Sequence, residues 1–271
     1  MKDEQLRANR AMWDERVAIH VRSEFYDNES FKVGRVSLHQ VEIDEMGDVG
    51  GKRLLHLQCH FGQDTMSWAR LGAKVTGIDF SPSAVEVANG MATELGLGAR
   101  FVCANVYDAG EALGGECFDV VYTGGGAIIW LDDIERWARI VADSLEPGGV
   151  LYLREFHPVA GVFDYESLEL KPRFRYFTNE ALYDETPGTY TDGDAQTQHN
   201  ASYEWVHTVG DVVTAVAGAG LVIEFLHEFS ATGYRALPMM VRGNDGMWRL
   251  PGELHEMLPL MYSLRARKPG P

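Results

Sequence analysis

The sequence predicts an α/β fold, a mostly parallel sheet with helices on both faces, and three observations carry that prediction. Residues 53–79 read as strand, tight turn, helix, second strand and terminal carboxylate, which is the layout of a parallel β-α-β crossover. The same alternation of apolar runs and helical spacing continues to residue 156 and resumes after residue 205. A chain of 271 residues with 45% hydrophobic content can bury the core of one such domain with an insertion.

Taken in order, residues 3 to 21 suggest an amphipathic helix carrying Leu6, Met12, Trp13 and Val17, followed by loop or short turns through SEFYDNESFKVGR. The first strand is expected at 53–57 and the turn at 58–62. Helical spacing then runs through Met66, Trp68, Ala69 and Leu71 until Gly72 stops it. The second strand, 74–78, ends at Asp79. Ser81-Pro82 then supplies an N-cap and a first-turn proline for a helix that ends near Gly96. Strands follow at 100–104 and 118–123, the latter closed by Gly124-Gly125-Gly126. A helix with Ile134, Trp137, Ala138, Val141 and Leu145 on one face precedes a turn at 146–149 and a fifth strand at 150–156. Thr208-x-x-Asp211 opens another helix, and 221–229 and 258–267 read as the last two of seven strands.

Charge narrows the partners. With 24 basic against 40 acidic residues the net charge is −16, so nucleic acid is repelled and disfavoured as substrate. Cys59, Cys103 and Cys117 form no C-x-x-C and read as free thiols of a reducing cytoplasm. The charged first residues lack the apolar core of a signal peptide, and no apolar run approaches a membrane span. A cytoplasmic protein without a membrane partner is therefore expected. His56 and His60 do not share a helix and have no third ligand at a recognisable spacing, so no metal site is expected.

The turn bears on the cofactor. Asp79 lies 21 residues after Gln58, close to the roughly 20 expected of a carboxylate that accepts ribose hydroxyls. A dinucleotide site wants G-x-G-x-x-G, but Gln58, Cys59, His60, Phe61 and Gly62 offer one glycine. An adenosine cofactor without a phosphate cradle, S-adenosylmethionine, meets the weaker demand.

LLHLQCHFGQDT, then GAKVTGIDFS, FDVVYTGGGAIIWL, LEPGGVLYLREFHP and PLMYSLRARK, resembles the ordered motifs of class I S-adenosylmethionine-dependent methyltransferases. More narrowly it resembles a bacterial small-molecule branch reading HLQCHFGQDT where most relatives have D-x-G-x-G-x-G. The resemblance runs from about Trp13 to Lys268. In it His56 stands at the motif's usual acid, and Gln58 and His60 replace two glycines. It implies a Rossmann-like methyltransferase fold with a seven-stranded sheet whose last strand is antiparallel, and S-adenosyl-L-methionine as cofactor. The cofactor-binding candidates are Gln58, Cys59, His60 and Gly62 in the turn, Asp79 for the ribose and Phe80 against the adenine. Asn105 and the amide of Val106 are expected at the adenine edge, and Gly124 at the methionine portion. The alternative for Asn105 is an ordinary Asx turn, and His56 reads as a core histidine.

The resemblance further implies an N-terminal helical cap over cofactor or acceptor, making Trp13, Arg22, Tyr26 and Phe31 candidates for contact; alternatively Trp13 and Phe31 simply dock the cap. Tyr26 could shield a sulfonium through its ring. Residues 156–205 hold 10 aromatics in 50 residues, 20% against 11% overall, and read as an antiparallel β insertion covering the cleft. Trp13, Phe31, Tyr203 and Trp205 are the substrate-binding candidates. Methyl transfer is an in-line displacement that gains most from alignment in a dry cleft, and a base is useful when the acceptor loses a proton. His157, His207 and Tyr26 are the catalytic candidates, with Glu155, Tyr203 and Glu204 behind the two histidines. The expected division is a cap at 1–50, a cofactor-binding core at 51–155, the insertion at 156–205 and the rest of the core at 206–271. The expected activity is methylation of a small aromatic or amine-bearing metabolite by a monomer or homodimer. The alternatives are a non-catalytic S-adenosylmethionine sensor or scaffold and an NAD-type oxidoreductase.

Overall fold

The computed structural model describes residues 2–270. Seven strands form the main sheet: β1 Arg53–Leu57, β2 Lys74–Asp79, β3 Ala99–Cys103, β4 Phe118–Gly124, β5 Leu145–Phe156, β6 Val222–Phe229 and β7 Met261–Arg267. Their order is β3-β2-β1-β4-β5-β7-β6, with β1 to β5 parallel and β7 antiparallel to both neighbours. The chain reverses direction of travel across the sheet between β1 and β4, so the carboxyl ends of those strands form the crevice where α/β sheets bind ligands.

Eight helices accompany the sheet: α1 Asp3–Arg22, α2 Asn28–Lys32, α3 Gln40–Met46, α4 Gln63–Arg70, α5 Pro82–Glu94, α6 Ala109–Ala112, α7 Ile134–Ser144 and α8 Val209–Gly218. Strand periodicity sorts side chains between the two faces. Leu55, Leu57, Val121, Leu151 and Leu153 pack with Trp137 and Val141 of α7 and Val212 and Val216 of α8. Leu54, Val120, Tyr122 and Tyr152 point the other way, toward Trp68 of α4 and Met46 of α3. The stripe expected on α7 is the one that is buried, because its apolar residues recur at helical spacing.

The second face also carries a buried polar layer. Glu42 of α3, 3% exposed, accepts from the Tyr122 hydroxyl at 2.5 Å and lies 3.7 Å from the Arg154 guanidinium, itself 5% exposed. The Tyr152 hydroxyl donates to Glu45 at 2.7 Å. These contacts add charge and hydrogen bonding to the apolar contacts that Ile43 and Met46 make with the sheet's cluster, and two such residues in a seven-residue helix gave little sign of α3. His56 belongs to the same layer as a core histidine: it is 3% exposed, bonded to Thr65 at 2.8 Å, and burial lowers its pKa to about 3.

Three elements differ from expectation. β5 starts at Leu145 rather than 150, since Phe118 pairs with Leu145 and Val120 with Val150 while the intervening residues bulge. The insertion is antiparallel β as expected, but over the short pair Leu182–Asp184 against Ser202–Glu204, with mostly turns around it. A further small antiparallel sheet, Ala231–Thr232, Trp248–Arg249 and Val241–Arg242, lies between β6 and β7 and was not foreseen. Phe163, Leu237, Met240, Leu250 and Leu260 form one apolar cluster that joins the two excursions.

Gly62 caps α4 with φ 81°, and a Cβ there would stand 2.5 Å from the Phe101 ring. Both conditions select glycine. Gly62→Ala is expected to destabilise the fold by about 2 kcal/mol. An unchanged denaturation midpoint would show that α4 and β3 can separate without cost.

Candidate active site

The turn after β1 takes a left-handed backbone three times in alternation, at Gln58 (φ 58°), His60 (φ 50°) and Gly62 (φ 81°). For the two non-glycine residues this conformation costs roughly 1 kcal/mol or more each. The missing glycines are thus replaced in sequence but not in backbone shape. Surrounding bonds hold the turn: Cys59 N donates to Ile78 O at 2.9 Å, and Gly62 N to Cys59 O at 2.9 Å. His60 N donates to the Asp79 carboxylate at 2.7 Å, and the Gln58 amide group to Ala127 O at 2.8 Å.

Asp79 stands at the end of β2, 6% exposed, and its other oxygen accepts from Ser81 N at 2.9 Å. Burial pushes its carboxyl up to about 6, against the opposing pull of the Ser81 and His60 amides. Each carboxylate oxygen keeps a lone pair for a further donor. Gln58 Oε1 is buried without a hydrogen-bond partner.

Aromatic rings gather above the turn. Trp13 of α1 meets His60 edge-on at 5.2 Å, His20 at 5.8 Å and Trp130 at 5.3 Å. His20, fully buried on α1, is bonded to His60 at 2.9 Å and to the Thr189 hydroxyl at 2.6 Å. Desolvation holds both imidazoles neutral, that of His20 near 3, with the Arg16 charge adding to the effect on His20. The Tyr26 hydroxyl is bonded to that of Tyr190. The cap, the turn and the insertion therefore meet through polar aromatic groups.

Across the crevice, buried Glu155 accepts from the amides of Gly126 at 2.8 Å, Ala127 at 2.6 Å and Ile128 at 3.1 Å. It shapes the loop after β4, in which Gly125 and Gly126 have positive φ. Gly124 sits at the start of that loop, its Cα flanked by Arg154 O and the Tyr122 hydroxyl.

Several expected residues are brought together: Gln58, Cys59, His60, Gly62 and Asp79 at the turn, with Trp13 and Tyr26 beside them. Phe80 is half-buried at the lip, and Cys59 packs with Phe61 and Met66 under the turn. Asn105 makes an Asx turn, its oxygen accepting from Tyr107 N at 3.0 Å, and Val106 is buried beneath it. Tyr203 is strapped to α1 through Asn9, and Trp205 N donates to Ile129 O at 2.7 Å.

Three other candidates are held by contacts of their own. Phe31 is fully buried among Phe61, Met66 and Met91 with the Arg70 guanidinium 4.2 Å from its ring centre, so it docks the cap instead of facing a ligand. Both ring nitrogens of His157 are engaged, Nδ1 by Val159 N at 3.2 Å and Nε2 by Glu228 at 3.0 Å. His207 donates from Nε2 to Leu131 O at 2.7 Å. A base needs a free nitrogen, and His157 has both engaged, while at His207 the bond to Leu131 takes up Nε2. The residues missed were His20, Trp130, Thr189 and Tyr190. For His20 a signal existed: Asn9, Trp13, Arg16 and His20 recur at helical spacing on one face of α1.

A sequence model of the methyltransferase domain matches residues 54–149, from β1 into β5. The chain is 30% identical over 183 residues to the aklanonic acid methyltransferase DauC of Streptomyces sp. (strain C5), covering 66% of this chain and 78% of that one. The chain belongs to the S-adenosylmethionine-dependent methyltransferases. It is also 33% identical over 116 residues to the ubiquinone biosynthesis O-methyltransferase of Xanthomonas euvesicatoria pv. vesicatoria (strain 85-10), covering 43% of this chain and 48% of that one. The match thus spans about half the length of that relative. Among solved structures, the fold is similar to an S-adenosylmethionine-dependent methyltransferase from Clostridium acetobutylicum ATCC 824, with TM-score 0.56, 14% identity, and coverage of 96% and 97%.

Membership of this family makes S-adenosylmethionine the cofactor and sets aside the oxidoreductase alternative. The chain's own residues fit that group. The spare lone pairs of Asp79 suit a pair of sugar hydroxyls, and the orphaned Gln58 Oε1 suits an ammonium donor. Among the described residues no cluster suited to a metal ion is present, and no helix is long and apolar enough to cross a membrane.

Hydroxyl donors favour the ionised form of Asp79, whose carboxyl titrates at about 6 before binding. Affinity for S-adenosylhomocysteine should therefore fall as pH drops below 6, by up to about tenfold per unit. Calorimetry in buffers of differing ionisation enthalpy should show proton release on binding near pH 6, and no release at all would refute the assignment.

Proposed function

We propose that this methyltransferase methylates a small-molecule acceptor with an aromatic or amine-bearing frame by in-line transfer. The observation that carries the reading is the ring wall of Trp13, His20, Tyr26, His60, Trp130 and Tyr190, closed over the turn that is bonded to Asp79. Such a wall selects flat, desolvated molecules and offers a macromolecule little purchase. The acidic surface argues in the same direction. Both curated relatives described above are named for small-molecule chemistry, ubiquinone biosynthesis and aklanonic acid.

When bound, the cofactor supplies an electrophilic methyl group on a sulfonium, already a good leaving group. The chain's residues then have three tasks. Asp79 grips the ribose hydroxyls, with Gln58, Cys59, His60, Gly62, Phe80, Asn105, Val106 and Gly124 around the rest of the cofactor. Tyr26 and Trp13 keep water from the reacting centre and present ring faces to positive charge. The Glu155-bonded loop fixes the wall opposite, so that the nucleophile and methyl carbon are aligned without reorganisation. Tyr203 and Trp205 line the acceptor side from the insertion.

On this reading residues 1–50 act as cap, 51–155 as cofactor core, 156–205 as acceptor cover and 206–271 as the remainder of the core. The enzyme works in the cytoplasm as a monomer or homodimer, within the branch whose first motif reads HLQCHFGQDT.

Two substitutions separate the tasks. Asp79→Ala should weaken S-adenosylhomocysteine binding by about 100-fold, the worth of two hydrogen bonds to a charged group. Trp13→Ala should leave that binding within about threefold while raising the acceptor KM at least about tenfold. Unimpaired binding by the first variant would remove the basis of the reading.

A further inference from the structure

Arg16 is a buried cation without a counter-ion. It lies on the α1 stripe with Asn9, Trp13 and His20 and is 8% exposed. Its Nε donates to Gly188 O at 2.9 Å, but Nη1 is buried with no hydrogen-bond partner. Among the described residues no carboxylate reaches ion-pair distance of it. A nitrogen left unpaired on a buried charge is costly unless something completes it.

Glu204, on the insertion, acts on Arg16 at a distance, as Glu15 and Asp184 do, without contacting it. Its carboxylate accepts no hydrogen bond from any described residue. Backbone bonds fix its position: Tyr203 before it is bonded to Asn9 of α1, and Trp205 after it to Ile129, just beyond the glycine loop. Tyr234, which packs on Phe156 over Gly126, is a further neighbour. Each therefore keeps an unused hydrogen-bonding site, Arg16 on the cap helix and Glu204 next to Trp205, which is bonded beside the loop after β4.

We infer that Arg16 and Glu204 together hold the reacting hydroxyl of the acceptor, Arg16 donating to its oxygen and Glu204 taking its proton. The inference rests on the proposed small-molecule methyl transfer and narrows it to an oxygen acceptor. Valence decides for oxygen. A hydroxyl oxygen has two lone pairs, so one can accept from Arg16 while the other attacks. An amine nitrogen has one, and using it for Arg16 would block the attack. In the step the O–H bond breaks with its proton passing to Glu204, and an oxygen lone pair forms the O–CH3 bond. The C–S electron pair departs with sulfur, leaving S-adenosylhomocysteine and the methyl ether or ester. Burial, helped by Asp184 and opposed by Arg16, pushes the Glu204 carboxyl up to about 7, which suits a base near neutral pH. Tyr165 and Tyr234 face it from the other side, and burial keeps both phenols protonated.

The test uses the full chain with phenol, aniline, 1-naphthol and 1-naphthylamine as matched probes, and S-adenosylhomocysteine calorimetry alongside. Labelled methyl groups should go to the hydroxyl members. Glu204→Gln should lower kcat by about 100-fold or more with acceptor KM within about threefold, and should abolish the rise of kcat/KM with pH through 7. Glu204→Asp should recover part of the rate, and Arg16→Gln should raise acceptor KM. S-adenosylhomocysteine binding should be unchanged in all three. Transfer to the amines alone, to none of the hydroxyl probes, or at full rate in Glu204→Gln overturns the inference. So does loss of S-adenosylhomocysteine binding in the Arg16 and Glu204 variants, which would make them cofactor or structural residues. Failure of the wild-type chain to bind S-adenosylhomocysteine would instead strike the proposed function itself.

Discussion

The hydrogen bond from His60 N to the Asp79 carboxylate, 2.7 Å long, is the contact on which the rest of the site depends. It can form because β1 and β2 are parallel neighbours, so their carboxyl ends arrive side by side. It requires His60 in a left-handed conformation, and the turn reaches that conformation with only one glycine. The strain is offset by the bonds the turn makes to Ile78, Asp79 and Ala127. A side chain at position 60 is the consequence. Glycine would leave the lip of the crevice bare, whereas histidine extends a ring from it toward the cap.

That ring is what α1 packs on. His60 meets Trp13 and His20, and through His20 it is linked to Thr189 of the insertion. Two imidazoles can be buried together only if both are neutral, and desolvation sees to that. The stripe of α1 that faces inward is polar and aromatic because it forms a wall of the crevice and not of the core. Its glutamate and asparagine partners continue the pattern: Glu15 accepts from the amides of Gln198 and His199, and Asn9 brackets Tyr203.

The opposite wall is organised by a single carboxylate. Glu155 gathers successive amides of the loop after β4, so a negative charge at the end of β5 is neutralised by backbone dipoles rather than by a cation. Arg154, the preceding residue, points to the other face of the sheet and meets Glu42. Strand alternation thus divides two adjacent charged residues between the loop after β4 and a structural anchor. Removing either would leave buried polar groups unsatisfied.

The main sheet, the crossover, the carboxylate that ends it and the kind of cofactor were legible in the chain itself, because they rest on local periodicity and on spacing between neighbours in sequence. Apolar alternation marks a strand wherever it occurs, and an acid some twenty residues past a turn can be counted. The choice among histidines was not legible. His157, His207, His20 and His60 have the same chemistry in a string of letters, and only packing shows that Glu228 and a backbone carbonyl occupy the first two while the other two meet above the turn. The same holds for α3, which is anchored by Glu42 to a tyrosine 80 residues away, and for Arg16 and Glu204, whose lack of partners is a property of the space around them. Local pattern fixes which way a side chain points along its own element. What it meets there is set by elements far off in sequence, through burial and the satisfaction of charge.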